Sequence, residues 1–258
     1  MNYIDKIEGN LYSFYHLAAG QANLRFCRED HFSWVRNPDG AWPNYVFNID
    51  MELLTSKPFI DQLAGRIKQK ELPPVIVNRL PENADLYYQL AQKNGLREIF
   101  NWTGMALDRS GYRPGTERKT DLRIEKVSGR DQVITWMDIV NSALFNSKSL
   151  SPGIAVAMAG IEGMELYTGY ETDMPVCTAL SFNRDGVAGL YMIATLPDYR
   201  GKGYGSRITL AAIENCFASG AGTIILHASA MGESLYRRLG FSEYCKFGIL
   251  WMVGKEFR

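Results

Sequence analysis

Residues 190–206 read L-Y-M-I-A-T-L-P-D-Y-R-G-K-G-Y-G-S, and their reading decides the fold. The first half is an apolar run of strand length. The second is a turn with three alternating glycines, and beyond it Leu210, Ile213 and Phe217 repeat at helical spacing. A strand is thus expected to pass through a glycine-rich loop into a helix. Gly201, Gly203 and Gly205 lack the Cβ that holds a ligand off the backbone, so successive N–H groups can turn into one concavity. The positive end of the helix faces the same space, and Arg200 and Lys202 add charge. Such a site suits an anion, most naturally a phosphate.

Three phosphate-binding patterns compete for this loop. The P-loop requires a Gly-Lys-Ser/Thr triplet, which the chain lacks. The dinucleotide fingerprint requires G-x-G-x-x-G and an acid near the end of the next strand. Here the spacing is G-x-G-x-G, and residues 223–229 contain no acid. The third pattern, [QR]-x-x-G-x-[GA], is matched by Arg200, Gly203 and Gly205. With it the chain resembles the GCN5-related N-acetyltransferase (GNAT) family, whose loop of this form holds the pyrophosphate of acetyl-CoA. Downstream, the strand T-I-I-L-H-A-S and then Leu235-Tyr236-Arg237-Arg238-Leu239-Gly240-Phe241 look like the family's continuation, with its L-Y-x-x-x-G-F signature. The resemblance runs from about Leu122 to the C-terminus.

A chain of 258 residues is long enough for one large domain or two ordinary ones. Its 28 basic residues balance 28 acidic ones, so charge gives no reason to expect nucleic acid or an anionic membrane as partner. The first ten residues, M-N-Y-I-D-K-I-E-G-N, have no signal-peptide pattern, and no apolar run is long enough to span a bilayer. A cytoplasmic location is expected. Cys27, Cys177, Cys216 and Cys245 are scattered without metal or redox spacing and read as reduced thiols; no metal is expected.

Along the first half, Ile4, Ile7, Leu11, Phe14 and Ala18 mark an amphipathic helix. Strands follow over residues 31–36 and 45–49, joined through the turn Asn37-Pro38-Asp39-Gly40. A helix through Phe59, Leu63 and Ile67, a short strand at 74–78, a helix through Leu86 and Leu90, and a strand near 99–107 complete this half. Residues 109–121, R-S-G-Y-R-P-G-T-E-R-K-T-D, are the clearest boundary. The expected division is an N-terminal α/β domain at 1–110, a linker at 111–121 and a second domain at 122–258. For that second domain the resemblance implies an α+β fold, a mixed and mostly antiparallel sheet flanked by helices in the order β-α-α-β-β-β-α-β-α-β. Both halves contain a short apolar strand, a helix with Leu-Tyr, a glycine followed by a large apolar residue, and a closing strand. A degenerate GNAT-like copy in the first half and a coincidence of two α+β segments both remain open; related strand orders are what a duplication requires.

The resemblance also implies the chemistry. Ile193, Ala194 and Thr195 would present backbone groups to the pantetheine arm of acetyl-CoA. Arg200, Gly201, Lys202, Gly203, Tyr204, Gly205 and Ser206 would meet the pyrophosphate. Ser229 stands where the family often has a cofactor-binding asparagine. Tyr236 would offer a proton to the leaving thiolate, against the plain alternative of a tyrosine packed on a helix face. Many relatives carry a glutamate base on the strand before the loop, but residues 187–194 contain no acid. Glu165 and His227 are the candidate bases, against a solvated strand face for the first and a structural histidine for the second. Trp34, Trp42, Asn44 and Tyr45 could shape an amine pocket, although such aromatics are often core. The expected activity is acetyl transfer from acetyl-CoA to a small-molecule amine, by a monomer or homodimer; a peptide or protein N-terminus, or non-catalytic acyl-CoA sensing, are the alternatives.

Overall fold

The computed structural model describes residues 2–38, 42–113, 121–145 and 147–254. Asp39 and Gly40 of the expected turn, and most of the expected linker, lie outside them.

Helix α1 (Tyr3–Gln21) opens with a capping box: the Asn2 side chain accepts from the Asp5 N–H while the Asp5 carboxylate accepts from the Asn2 N–H. Its buried stripe of Ile7, Leu11, Phe14 and Ala18 is the one the spacing predicts. Next come β1 (Arg25–Arg28), β2 (Ser33–Arg36), β3 (Asn44–Phe47), α2 (Lys57–Lys68), β4 (Val75–Arg79), α3 (Ala84–Lys93) and β5 (Leu96–Asp108). The second half contributes β6 (Leu122–Lys126) and α4 (Arg130–Val140), which runs on as a π-helical turn, Asn141–Phe145. It continues with α5 (Pro152–Ala159), β7 (Met164–Glu171), β8 (Met174–Arg184), β9 (Val187–Thr195), α6 (Tyr204–Ala218), β10 (Thr223–Ala228), α7 (Glu233–Arg238) and β11 (Ser242–Met252). This is the α+β element order expected for residues after 121.

The strands form one 11-stranded sheet in the order β1-β2-β3-β4-β11-β5-β10-β9-β8-β7-β6. Among the described residues only β3/β4 and β9/β10 pair in parallel. The sheet is therefore mixed and mostly antiparallel. The closing strand of each half lies against the parallel pair of the other: β11 pairs with β4, and β5 pairs with β10. The two exchanged strands then pair with each other along almost their whole length. A strand's own pattern says that it is buried, not which edge it joins, so this exchange was outside the reach of a reading by segments.

Helices α1, α4 and α5 cover one face, over a core that includes Phe14, Trp136, Phe182 and Phe247. Helices α2, α3, α6 and α7 cover the other. The close seating of α1 depends on Gly189 in β9, where a Cβ would run into Asn10 Oδ1 and the Tyr191 ring. Asn10 is buried and satisfied there: its Nδ2 donates to Val187 O at 3.1 Å, and its Oδ1 accepts from Tyr191 OH at 2.7 Å. Buried polar groups are retained when bonded in this way. Among the described residues no helix is long and apolar enough to cross a membrane.

Candidate active site

The pairing of β9 with β10 stops at Leu190↔Leu226, although β9 continues to Thr195. Its other edge stays on β8, through Cys177↔Thr195 and Thr178↔Ala194. On the far side, β10 follows β5 out to Ala228↔Thr103, and β5 extends further to Leu96. A slot therefore opens in the middle of the sheet, between the end of β9 and the start of β5. Tyr191, Met192 and Ile193 are only half-buried, which is unusual for an internal strand and follows from the missing neighbour. Strand edges left unpaired inside a protein call for a hydrogen-bonding partner.

A β-bulge sits at the mouth of the slot. Between Thr178↔Ala194 and Leu180↔Tyr191, Met192 and Ile193 face the single residue Ala179, and Met192 has φ +48°. The bulge takes a peptide out of the ladder and re-aims the strand. Trp136 compensates, its indole N–H donating to Ala179 O at 3.1 Å, and Thr178 Oγ1 donates to Met192 O at 2.9 Å.

From Thr195 the chain makes a short 3-10 turn, Pro197–Tyr199, and enters the glycine loop. Gly201 and Gly203 have φ of +79° and +87°, a region costly for residues with a Cβ. Gly203 is the N-cap of α6, and no side chain caps that end. The first intrahelical bond comes only from Arg207 N–H to Gly203 O, so the N–H groups before it are available to a ligand. A Cβ built on Gly201 would meet no atom within 4 Å, so the space beside the loop is open. Open space, free amides and a helix dipole fit a diphosphate.

The side chains of the loop are used differently from the expectation. Arg200 acts as a clamp: Nε donates to Thr195 O at 3.1 Å and Nη2 to Ala143 O at 3.3 Å, tying the loop to the π-helical turn. Lys202 pairs with Glu171 at 2.8 Å, and Tyr204 OH bonds the same carboxylate. These hydrogen bonds, from Lys202 first, hold Glu171 below the usual carboxylate range. Tyr204 and Ser206 are buried, so only their backbones can meet a ligand in this arrangement. Gly205 lies against Thr195, with 3.6 Å between its would-be Cβ and Oγ1.

Tyr236, on α7, is buried in the same apolar cluster as Leu190 and Tyr204, with Ile193 at its margin. Burial pushes its pKa well above the ordinary tyrosine range, so the phenol stays protonated. Ser229, between β10 and α7, is exposed, and its Oγ accepts from Gly232 N–H at 3.4 Å. His227 stands at the apex of the slot, the first β10 residue beyond the last pair with β9, on the α1 face. Both ring nitrogens are covered and neither has a hydrogen-bond partner. Burial lowers its pKa to about 3, so the ring is neutral.

Other candidates are not brought to the slot. Glu165 bonds Lys126, Tyr167 OH at 2.5 Å and Asn215. Burial works to raise its pKa, but these bonds outweigh it and keep the carboxyl below its usual range. Asn215 lies eleven residues along α6 from Tyr204, roughly 16 Å from the loop at 1.5 Å per residue. Glu165 is therefore a strut at the wrong end of α6 rather than a base. Trp34 faces α2, with its indole N–H on Glu29 at 2.9 Å, and lies on the other side of the sheet from His227. Asn44 locks the turn before it, exchanging hydrogen bonds with Asn37 at 3.0 and 3.2 Å. Trp42 is core against Phe14. Tyr45 also lies on the α1 face, its ring 5.3 Å from that of Tyr15, and it borders the small cluster that Trp102 borders. Trp102, 5.9 Å from the His227 ring, carries no sequence signal for this site, because it reaches it only through the pairing of β5 with β10. All four cysteines are free, and among the described residues no group of three His, Cys, Asp or Glu could hold a metal.

A sheet split beside a glycine loop and an uncapped helix, with a buried phenol next to the split, is the arrangement the resemblance implies for an acyltransferase. Comparison with known proteins agrees: residues 163–243, a span that includes β9, the loop and Tyr236, match the model of the acetyltransferase (GNAT) domain. A GCN5-related N-acetyltransferase from Kribbella flavida is similar in structure (TM-score 0.66, 15% identity), covering 93% of this chain and 95% of that one. So is one from Sphaerobacter thermophilus (TM-score 0.66, 12% identity), covering 97% of this chain and 93% of that one. A functionally unknown conserved protein from Staphylococcus epidermidis ATCC 12228 has TM-score 0.62 at 14% identity, covering 90% and 95% of the two chains. At these identities the likeness is one of fold. No curated protein matches the sequence.

Proposed function

We propose that the protein transfers an acetyl group from acetyl-CoA to a primary amine of a small acceptor. The observation that carries this reading is the departure of β9 from β10 after Leu190, leaving an unpaired edge that leads into the glycine loop. When bound, acetyl-CoA supplies an activated thioester. The backbone of Ile193, Ala194 and Thr195 would pair with its amide-bearing arm as an added strand does. The amides between Gly201 and Ser206 would hold its diphosphate. At the bulge, the peptide freed from the ladder is suited to the oxyanion that forms when an amine attacks the carbonyl.

In the transfer a nitrogen–carbon bond forms, the carbon–sulfur bond breaks, and the nitrogen loses a proton. Tyr236 donates a hydrogen bond to the departing sulfur. Its pKa lies above the roughly 8.5 of a thiol, so the phenol steadies the thiolate and water completes the protonation. Donor and acceptor would approach from opposite faces, since Tyr236 belongs to the α6 and α7 side and His227 to the α1 side.

The mirrored strand order about the β11/β5 pair supports reading residues 1–110 as a degenerate copy of 122–258 that walls the acceptor side. A cleft built inside one chain favours a small acceptor over a protein surface. Release of CoA from acetyl-CoA, measured against a panel of amines, tests the function. Acceptor-dependent release that falls in Tyr236→Phe supports it. Tight acetyl-CoA binding with no acceptor-dependent release would favour a sensor instead.

A further inference from the structure

On the α1 face, the slot opens among aromatic rings. His227 is packed by Phe247 at 4.7 Å edge-on, by Trp102 at 5.9 Å and by Tyr191 at 6.3 Å, nearly parallel. Trp102 in turn packs obliquely on Phe100, 5.8 Å away and tilted by 49°, and Phe100 is 48% exposed, so the aromatic wall continues to the surface. Tyr45 and Trp102 both flank a small apolar cluster of Val75, Val77 and Ile249. One charged sheet position lies close by: Arg79 of β4 is the register partner of Phe247. The charged pair nearby on this face, Glu8 with Arg79, is bonded within itself at 3.0 Å. Tyr191 OH is committed to Asn10. That leaves the His227 imidazole as the polar group at the apex, with both nitrogens unpartnered. A buried polar group left unsatisfied in a native protein asks for an explanation, and a ligand that bonds it is one.

We infer that the acceptor is an aromatic amine, uncharged at the working pH, whose ring lies beside Trp102 and whose nitrogen donates to His227. This rests on the acetyltransferase reading and narrows it. An alkylammonium would enter an aromatic space whose nearby carboxylate, Glu8, is already paired with Arg79, and would lose its hydration with little compensation. Nor could the neutral imidazole deprotonate a cation of pKa about 10 before attack. An arylamine arrives already neutral. As its nitrogen attacks the thioester of acetyl-CoA, the new N–C bond makes it cationic and acidic, and the surplus proton passes to His227 while the C–S bond breaks. His227 afterwards loses that proton to water, which protonates the thiolate, so the enzyme returns to its starting state.

The full-length protein is offered aniline, benzylamine and putrescine. The first two share a ring and differ in the charge on nitrogen, and the third has no ring. Binding is followed by quenching of tryptophan fluorescence without acetyl-CoA, and transfer by CoA release. Aniline is expected to bind in the absence of acetyl-CoA and to exceed benzylamine at least tenfold in kcat/KM, with putrescine near background. Trp102→Ala is expected to weaken aniline binding about tenfold while leaving the acetyl-CoA Kd in place, and Trp102→Phe to restore most of the loss. Preference for benzylamine or putrescine, or aniline binding that ignores both substitutions, overturns the inference while leaving acetyl transfer standing. Failure to bind acetyl-CoA would instead remove the parent reading, and the fluorescence titration would still judge the aromatic site.

Discussion

Replacing His227 by Phe gives a stability change whose sign and pH dependence follow from the structure. Both ring nitrogens are covered and have no hydrogen-bond partner, and burial lowers the pKa from 6.5 to about 3. Unfolded chains bind a proton at this residue below pH 6.5, and the folded protein does not until near pH 3. The stability it contributes is present above the unfolded pKa and is lost as pH falls toward the folded one. Between pH 7 and pH 5 the loss from this single group comes to about 2 kcal/mol. The Phe variant lacks it. At pH 7 the variant should also be roughly 1–3 kcal/mol more stable, because two unsatisfied nitrogens are gone. Urea unfolding at pH 7, 6 and 5 reads both effects. Wild type should lose about 2 kcal/mol more than the variant across that range, a difference of roughly 1 M in midpoint. His227→Leu gives the same comparison if the larger ring crowds Phe247. Parallel curves for wild type and both variants would refute the reasoning, because they would mean the imidazole is already solvated or bonded in the folded protein.

Tyr236→Phe should cut turnover at least tenfold with acetyl-CoA affinity near wild type, as measured by steady-state CoA release and calorimetry. Gly203→Ala places a Cβ at φ +87°, which costs roughly 1–2 kcal/mol and should lower Tm by several degrees while weakening acetyl-CoA binding. Glu171→Gln releases Lys202 from its ion pair and should tighten CoA binding about threefold at low salt, an advantage that fades as added salt screens the freed charge. Glu165→Gln should leave kcat and KM where they are, because its partners Lys126, Tyr167 and Asn215 hold it away from the slot.

What could be read from the sequence was local. Residues 190–206 announce strand, loop and helix through composition and spacing alone, and the order of elements after residue 121 followed from the resemblance. The loop's amides are where the glycines imply. What could not be read depended on contacts distant in sequence. Arg200 and Lys202 suggest phosphate ligands until Ala143 and Glu171 are seen to occupy them. Glu165 and Trp34 have suitable chemistry, but their partners lie at the far end of α6 and on the opposite face of the sheet. The exchange of β5 and β11 brings Trp102 of the first half and Phe247 of the last strand around His227. No periodicity within either strand carries that information, since alternation fixes a face and not a neighbour.

Amide hydrogen exchange with and without acetyl-CoA tests the central claim most directly. Exchange at Ile193, Ala194 and Thr195 and across Gly201 to Ser206 should slow markedly in the complex, because the strand edge gains a partner and the uncapped amides gain an anion. Unchanged exchange at both places with acetyl-CoA bound, or protection confined to another part of the sheet, would contradict it.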